Sequence, residues 1–403
     1  MKTHQNFTIF YLLYKGKIKR EIYKGGFMVN SKYAPLLESF TFPNGIQLKN
    51  KIVMAPMTNF SSNPDGTVTD AEVKYYARRS GGVGMVITAC TYVTANGKGF
   101  HGEFGADSDE MIPSLRKLAT SIKEQGAKAI LQIFHGGRQV PPQLAPNGDV
   151  VSASAIPAEG EGKPVPRELS DEEIQMIIRA FGEVTRRAIE AGYDGVEIHG
   201  ANGYLIQQFF SPHSNRREDR WGGSVEKRLT FPLAIVDEVK RVVSENTNDP
   251  FIVGYRFSPE EPETPGITMA DTLVLIDKLA EKNLDYLHVS LNDFWALPRR
   301  GVDDTRSRME IIQERVGAKV PVIGVGSLYT PDNVLNAFEK SGIPLIALGR
   351  EIIIDPDWVQ KVAEGRESEI VTKIDKSKQE ELVVPDPLWQ AIIHSPGWFP
   401  GVE

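Results

Sequence analysis

The chain has 403 residues, enough for one large domain or two ordinary ones, and its 41% hydrophobic and 25% charged content is that of a soluble globular protein. A net charge of −7, with no basic stripe among the aromatics, argues against a nucleic-acid partner. The single cysteine, Cys90, excludes an internal disulfide and an iron–sulfur cluster, which takes about four. No Cys/His spacing reads as zinc. The one membrane-like run, Phe7 to Leu13, is far shorter than the ~20 residues of a spanning helix. Lysines follow it instead of a cleavage site, so a cytoplasmic setting without a membrane partner is expected.

In chain order, residues 1–27 carry no partner pattern. Lys24-Gly25-Gly26 stands just before Met28, and such codons can spell a purine-rich ribosome-binding sequence. Residues 1–27 are therefore expected to be a non-native or disordered leader, and 28–403 a single domain. Phe40 to Leu48 reads as a hairpin with an Asn44-Gly45 turn, placed to plug the bottom of a barrel. Eight short apolar runs follow: Lys51–Ala55, Met85–Ala89, Ala129–Ile133, Gly195–Ile198, Phe251–Tyr255, Tyr286–Val289, Val322–Gly324 and Leu345–Leu348. Helical periodicity fills the gaps between them. Ser170-Asp-Glu-Glu173 is a capping box, and Thr330-Pro331 and Asp355-Pro356 each set a cap before a proline.

Eight alternations predict an α/β fold, a (β/α)₈ TIM barrel, with insertions at Gly136–Arg167 and Ser211–Gly223 on the C-terminal face. A doubly wound sheet is disfavoured because no Gly-x-Gly-x-x-Gly follows the first strand. The aromatic tail, Val384 through Trp389, Trp398, Phe399 and Val402, packs either on the barrel's own surface or against a second subunit.

The strand ends carry the chemistry. Ala55-Pro56-Met57-Thr58 follows the first strand, where Pro56 removes a donor and Thr58 offers a hydroxyl. Cys90 follows the second. Gln132 lies on the third, and its amide suits the edge of a heterocycle. The fifth ends in Arg256, a buried cation that needs either an ion-pair partner or a bound anion. Gly324 and Gly326 end the seventh strand, and Gly349 with Arg350 ends the eighth. The glycines either allow tight turns or let backbone N–H groups approach a phosphate, and Arg350 adds a bidentate fork. After the fourth strand, His199, Asn202 and Tyr204 fall in one turn. Two neutral donors three residues apart can hold one oxygen, and a tyrosine beside them can protonate a neighbouring carbon.

On Ala55-Pro56-Met57-Thr58, Leu131–Arg138, Ala191–Leu205, Phe209–Pro212, Asn215–Ser224 and Ala347–Arg350, the chain resembles the old yellow enzyme family of flavin-dependent ene-reductases, which are FMN-binding TIM barrels. The resemblance implies one FMN, bound noncovalently, with NAD(P)H as co-substrate. It implies a flavin-ring loop at Pro56, Met57 and Thr58, and a ring contact at Cys90 where the family usually has alanine. It assigns Gln132 and Arg256 to the ring, Gly326, Gly349 and Arg350 to the phosphate, His199 and Asn202 to the substrate oxygen, and Tyr204 to the proton. One branch of the family has cysteine at the Thr58 position and tyrosine at Phe60. This chain has neither, so thiol tuning is not expected. It also lacks the cysteines of the branch with fused cofactor domains, and Arg217-Glu-Asp219-Arg-Trp221 departs from the usual loop.

The expected function is hydride transfer from NAD(P)H through FMN to electron-poor alkenes, quinones or related small-molecule acceptors. The alternatives are oxidative demethylation, a quinone-only reductase, or a non-catalytic flavin-binding barrel that has no need of Tyr204. Monomer and homo-oligomer are both open.

Overall fold

The computed structural model describes residues 8–14, 17–24 and 27–403. Two strands of the expected leader, Thr8–Tyr14 and Lys17–Lys24, pair with Phe27–Val29, which crosses its boundary into the domain, as a three-stranded antiparallel sheet, while residues 1–7, 15–16 and 25–26 lie outside the described residues.

Eight parallel strands close on themselves. They are β1 (Ile52–Met54), β2 (Met85–Ile87), β3 (Lys128–Phe134), β4 (Gly195–Gly200), β5 (Ile252–Phe257), β6 (Tyr286–Val289), β7 (Val322–Gly324) and β8 (Leu345–Leu348). Each pairs with the next, and β8 pairs with β1. The helices α1 (Asp70–Ser80), α2 (Ile112–Glu124), α3 (Asp171–Ala191), α4 (Thr230–Asn246), α5 (Met269–Ala280), α6 (Arg308–Val316), α7 (Pro331–Ser341) and α8 (Trp358–Ala363) follow the strands in turn. The chain is a (β/α)₈ TIM barrel. All eight strands fall on the expected runs, but β3, β4 and β5 continue farther, to Phe134, Gly200 and Phe257. His199 is therefore a strand residue and not, as expected, part of the turn.

Local chemistry starts the helices. Ser170 accepts from the Glu173 N–H and Glu173 returns the bond, as read from the sequence. The same reciprocal box stands at Thr69/Glu72, Thr268/Asp271 and Ser307/Glu310. Thr330 caps α7 with Pro331 in its first turn. Asp355-Pro356 behaves differently. The Asp355 carboxylate accepts from the Asp357 N–H and pairs with Lys361, and α8 begins only at Trp358.

The barrel interior is apolar at its lower end, where Val53, Met85, Ile130, Ile252, Ile323 and Leu345 meet Phe42 and Leu48 of the hairpin. Burying each of these side chains is worth roughly 1.5–3 kcal/mol, so the hairpin is the barrel's plug. Its turn differs from the two-residue Asn-Gly turn expected. Thr41 pairs with Gln47, Gly45 N–H donates to the Phe42 carbonyl, and only Gly45, at φ 90°, is left-handed. Pro43 holds the first central position at negative φ, so Asn44 follows it there and glycine alone takes the left-handed site.

The two insertions are knitted together. Arg217 is buried, donates to the carbonyls of Ala153 and Leu169, and pairs with Asp219; buried Trp221 donates to Asp171. In the tail, Val384, Trp389, Phe399 and Val402 are buried in the main core, so it packs on the barrel's own surface. No helix among the described residues is long and apolar enough to cross a membrane.

Candidate active site

The C-terminal ends of β1, β5, β7 and β8 open onto a cavity of about 400 Å³. Ala55, Pro56, Met57, Thr58, Arg256, Gly349 and Arg350 line it; Cys90, Gln132, Gly324 and Gly326 do not. The two β7 glycines have a steric reason of their own. A Cβ on Gly324 would lie 2.6 Å from the Phe294 ring, and one on Gly326 would lie 2.3 Å from the Phe294 nitrogen. They let the loop after β6 close against β7, and Ser327 and Leu328 present the cavity wall in their place.

At this end the donors are backbone groups and one cation. The N–H groups of Ser327, Leu328, Gly349 and Arg350 find no acceptor among the described residues. Arg350 donates to the Trp398 carbonyl (2.9 Å) and to Ser327 Oγ (2.6 Å), which braces its guanidinium at the wall. Unpaired amides around a fixed cation suit a phosphate. Trp398 reaches this wall from the C-terminal tail, a role its sequence position did not suggest.

At the opposite end, Arg256 is 8% exposed and its Nε is buried without a partner. Burial pulls its pKa down, and Glu197 chiefly opposes that. Gln132 donates its Nε2 to Glu197 (2.7 Å), and its Oε1 has no protein partner among the described residues. Arg256 lines this end, and the Gln132 amide stands two residues earlier in the register, off the lining; a cation and an amide edge suit a polar heterocycle, and the two ends together fit FMN.

Of the predicted residues at the end of β4, Asn202 lines this cavity; His199 and Tyr204 are buried beside it and do not. His199 Nδ1 accepts from the Ala201 N–H (3.3 Å). Burial, then Arg256 and His288, hold its imidazole well below the usual pKa, so the ring is neutral. With Nδ1 accepting, its one proton sits on Nε2, which is a donor. Asn202 is exposed and left-handed at φ 59°, a conformation asparagine tolerates. Its Oδ1 accepts from Ser290 Oγ (2.9 Å) and its backbone N–H donates to Ser258 Oγ (2.9 Å). With Oδ1 turned to Ser290, the end of the amide left free is Nδ2, a second donor. Tyr204 packs edge-on against Phe134 (4.9 Å between ring centres) and His199 (5.1 Å). Burial first, then Cys90 and Glu103, push its phenol well above the usual range, so it keeps its proton at neutral pH.

Phe60 and Glu103, near this wall, carry features that their sequence positions did not suggest. Phe60 lines the cavity at φ 56°, a strained conformation for a bulky residue. Its carbonyl lies 2.1 Å from where a Gly102 Cβ would stand, so glycine is required there. Glu103 is 3% exposed and accepts from the Gly99 and Phe100 N–H groups. Burial raises it far above the usual carboxylate range, so it is a neutral acid beside Cys90. Burial, with Glu103 adding to it, also keeps Cys90 a thiol.

Residues 35–369 match the NADH:flavin oxidoreductase / NADH oxidase family. A probable NADH-dependent flavin oxidoreductase of Bacillus subtilis is 56% identical over 372 residues, which cover 92% of this chain and 99% of that protein. An NADH:fumarate oxidoreductase of Klebsiella pneumoniae is 47% identical over 88% of this chain, which spans only 38% of that longer protein. The structure of morphinone reductase in complex with tetrahydroNAD superimposes with a TM-score of 0.71 at 27% identity, covering 82% of this chain and 91% of that one. The chain belongs to the NADH:flavin oxidoreductase / NADH oxidase family, the family of the old yellow enzymes, and is an FMN-binding, NAD(P)H-dependent oxidoreductase.

Proposed function

We propose that the chain passes hydride from NAD(P)H, through noncovalent FMN, to an electron-poor alkene activated by a carbonyl, or to a quinone. FMN supplies the hydride chemistry; the protein orients the partners and tunes the site. Ser327, Leu328, Gly349 and Arg350 hold the phosphate. Pro56, Met57, Thr58, Gln132 and Arg256 hold the ring, with Arg256 facing the negative charge that reduction brings. His199 Nε2–H and Asn202 Nδ2–H hold the acceptor's oxygen as charge builds on it, an oxyanion-type stabilisation. Tyr204 gives its proton to the alkene carbon that does not receive hydride. Reduced nicotinamide and acceptor use this one site in turn.

The observation that carries the reading is the pair of assigned donors. His199 and Asn202 each have one hydrogen-bonding end tied to protein, by Ala201 and by Ser290, and each is left with its N–H end free. The names of two relatives agree with it, since one acts on fumarate, an activated alkene, and another is a morphinone reductase. Steady-state turnover with NADH or NADPH against enones, quinones and N-methyl compounds tests it. Turnover of enones is expected. Turnover of N-methyl compounds alone would favour a demethylase, and a flavin that no nicotinamide reduces would mean a non-catalytic barrel.

A further inference from the structure

Between the apolar plug and the cavity, the barrel interior holds a second polar layer that the proposed chemistry does not use. Glu197 and His288 are both 0% exposed. Glu197 stands on β4, His288 on β6, and the strand between them carries Gly254 in register with Glu197. Gly254 leaves its space to the Tyr286 ring, which a Cβ there would meet at 2.1 Å, and Glu197 reaches across β5 to His288. Its Oε2 takes the His288 Nδ1–H (2.9 Å) and its Oε1 takes the Gln132 Nε2–H (2.7 Å). Two residues farther along β5 is Arg256, in register with both His199 and His288. The carboxylate is thus enclosed by Gln132, His288, Arg256 and the Tyr286 ring.

The protonation pattern is consistent. Burial alone would raise Glu197, but His288, Arg256 and Gln132 outweigh it and hold the carboxyl below its usual range. Burial lowers His288, so it is neutral, and its Nε2 is left buried without a partner. The layer therefore holds one negative charge and one positive charge. An unpaired buried charge would cost several kcal/mol; each charge eases the other's burial at a distance, with no direct ion pair between them among the described residues.

We infer that Glu197 is the counterweight to Arg256: its carboxylate, fixed by Gln132 and His288, offsets the cation that would meet the flavin ring and would hold the flavin potential lower than Arg256 alone would set it. The carboxylate also fixes Gln132. With Nε2 committed to Glu197, the amide leaves Oε1 as its free acceptor. Glu197 touches no reacting atom, so it is a positioning residue. The inference rests on the proposed placement of the ring against Arg256.

Potentiometric titration of the FMN-loaded protein tests both levels. Arg256→Ala should lower the midpoint and Glu197→Gln should raise it, the latter by at least a tenfold change in the oxidised-to-reduced equilibrium, about 30 mV for two electrons. His288→Gln keeps the carboxylate and should not raise it. Because Glu197→Gln strands a buried cation, the double variant Arg256→Ala/Glu197→Gln, which is charge-neutral, provides an independent reading. Its midpoint should return toward wild type from the Arg256→Ala value. An unchanged or lowered midpoint in Glu197→Gln, an equal rise in His288→Gln, or a double variant no different from Arg256→Ala overturns the counterweight while leaving the ring placement intact. An unchanged midpoint in Arg256→Ala removes the ring placement and the counterweight together.

Discussion

The two ends of the cavity are built on opposite plans. At the β7–β8 end the donors include backbone N–H groups, and the lining cation, Arg350, is braced by a backbone carbonyl and a serine. At the β4–β6 end the donors are side chains, each with its other polar group tied down, above an interior layer that balances Arg256 with Glu197. Backbone donors can hold an anion but cannot change their charge. Side chains in a low-dielectric interior can set protonation and potential. The difference assigns retention of the cofactor to one end and reactivity to the other, and substitutions should separate the two.

The largest effect is expected at Tyr204. Tyr204→Phe removes the positioned acid, whose loss typically costs about 10²–10⁴ in rate. Stopped-flow measurements should find enone reduction slowed by that much while nicotinamide oxidation stays within a few-fold. Quinones, protonated on oxygen by solvent, should be spared. Enone reduction at the wild-type rate would make Tyr204 only a wall of the pocket.

Glu351 tests the retention end. It lines the cavity, is 1% exposed, and neither carboxyl oxygen has a hydrogen bond. Burial, with Asp355 adding to it, pushes its pKa up to about 9. The folded protein therefore holds this proton where the unfolded chain, with a pKa near 4.5, releases it. Stability is fully present below the unfolded pKa and is lost as pH rises toward 9, by about 3 kcal/mol at pH 7. Glu351→Gln should remove that slope. Thermal unfolding of the flavin-free protein from pH 5 to pH 9 would show it, and parallel curves for variant and wild type would exclude it.

Arg350→Ala should weaken FMN retention by about 1.5–3 kcal/mol, the worth of a hydrogen bond to a charged group. The midpoint of the flavin that stays bound should not move. Fluorescence of FMN released on ultrafiltration measures the first and potentiometry the second. Undiminished retention, or a moved midpoint, would break the division of labour between the ends.

Much of this was legible in the sequence because parallel strands read as short apolar runs, and catalytic side chains of a barrel cluster where such runs end. Thr58, Arg256 and Arg350 could be placed on strand ends in this way. What escaped depends on contacts between distant strands. Asn202 is oriented by Ser258 and Ser290, which lie 56 and 88 residues away. Glu197 stood in plain view near His199, but its partner His288 is 91 residues off, on β6, and the two meet across the intervening strand β5. Gly324 and Gly326 suggested a phosphate loop, yet their immediate cause is Phe294. The strain at Phe60 has no sequence signal, since its residue type argues against a left-handed backbone.

The most direct test of the account is whether His199 and Asn202 hold one oxygen. Phenol binding, followed by flavin absorbance in wild type, His199→Ala, Asn202→Ala and the double variant, measures it. Each single change should weaken binding by about 1.5–3 kcal/mol. The double change should cost less than the sum, because losing one donor already leaves the other poorly matched. Phenol affinity equal to wild type in either single variant would mean that these two side chains do not form the acceptor's oxygen site.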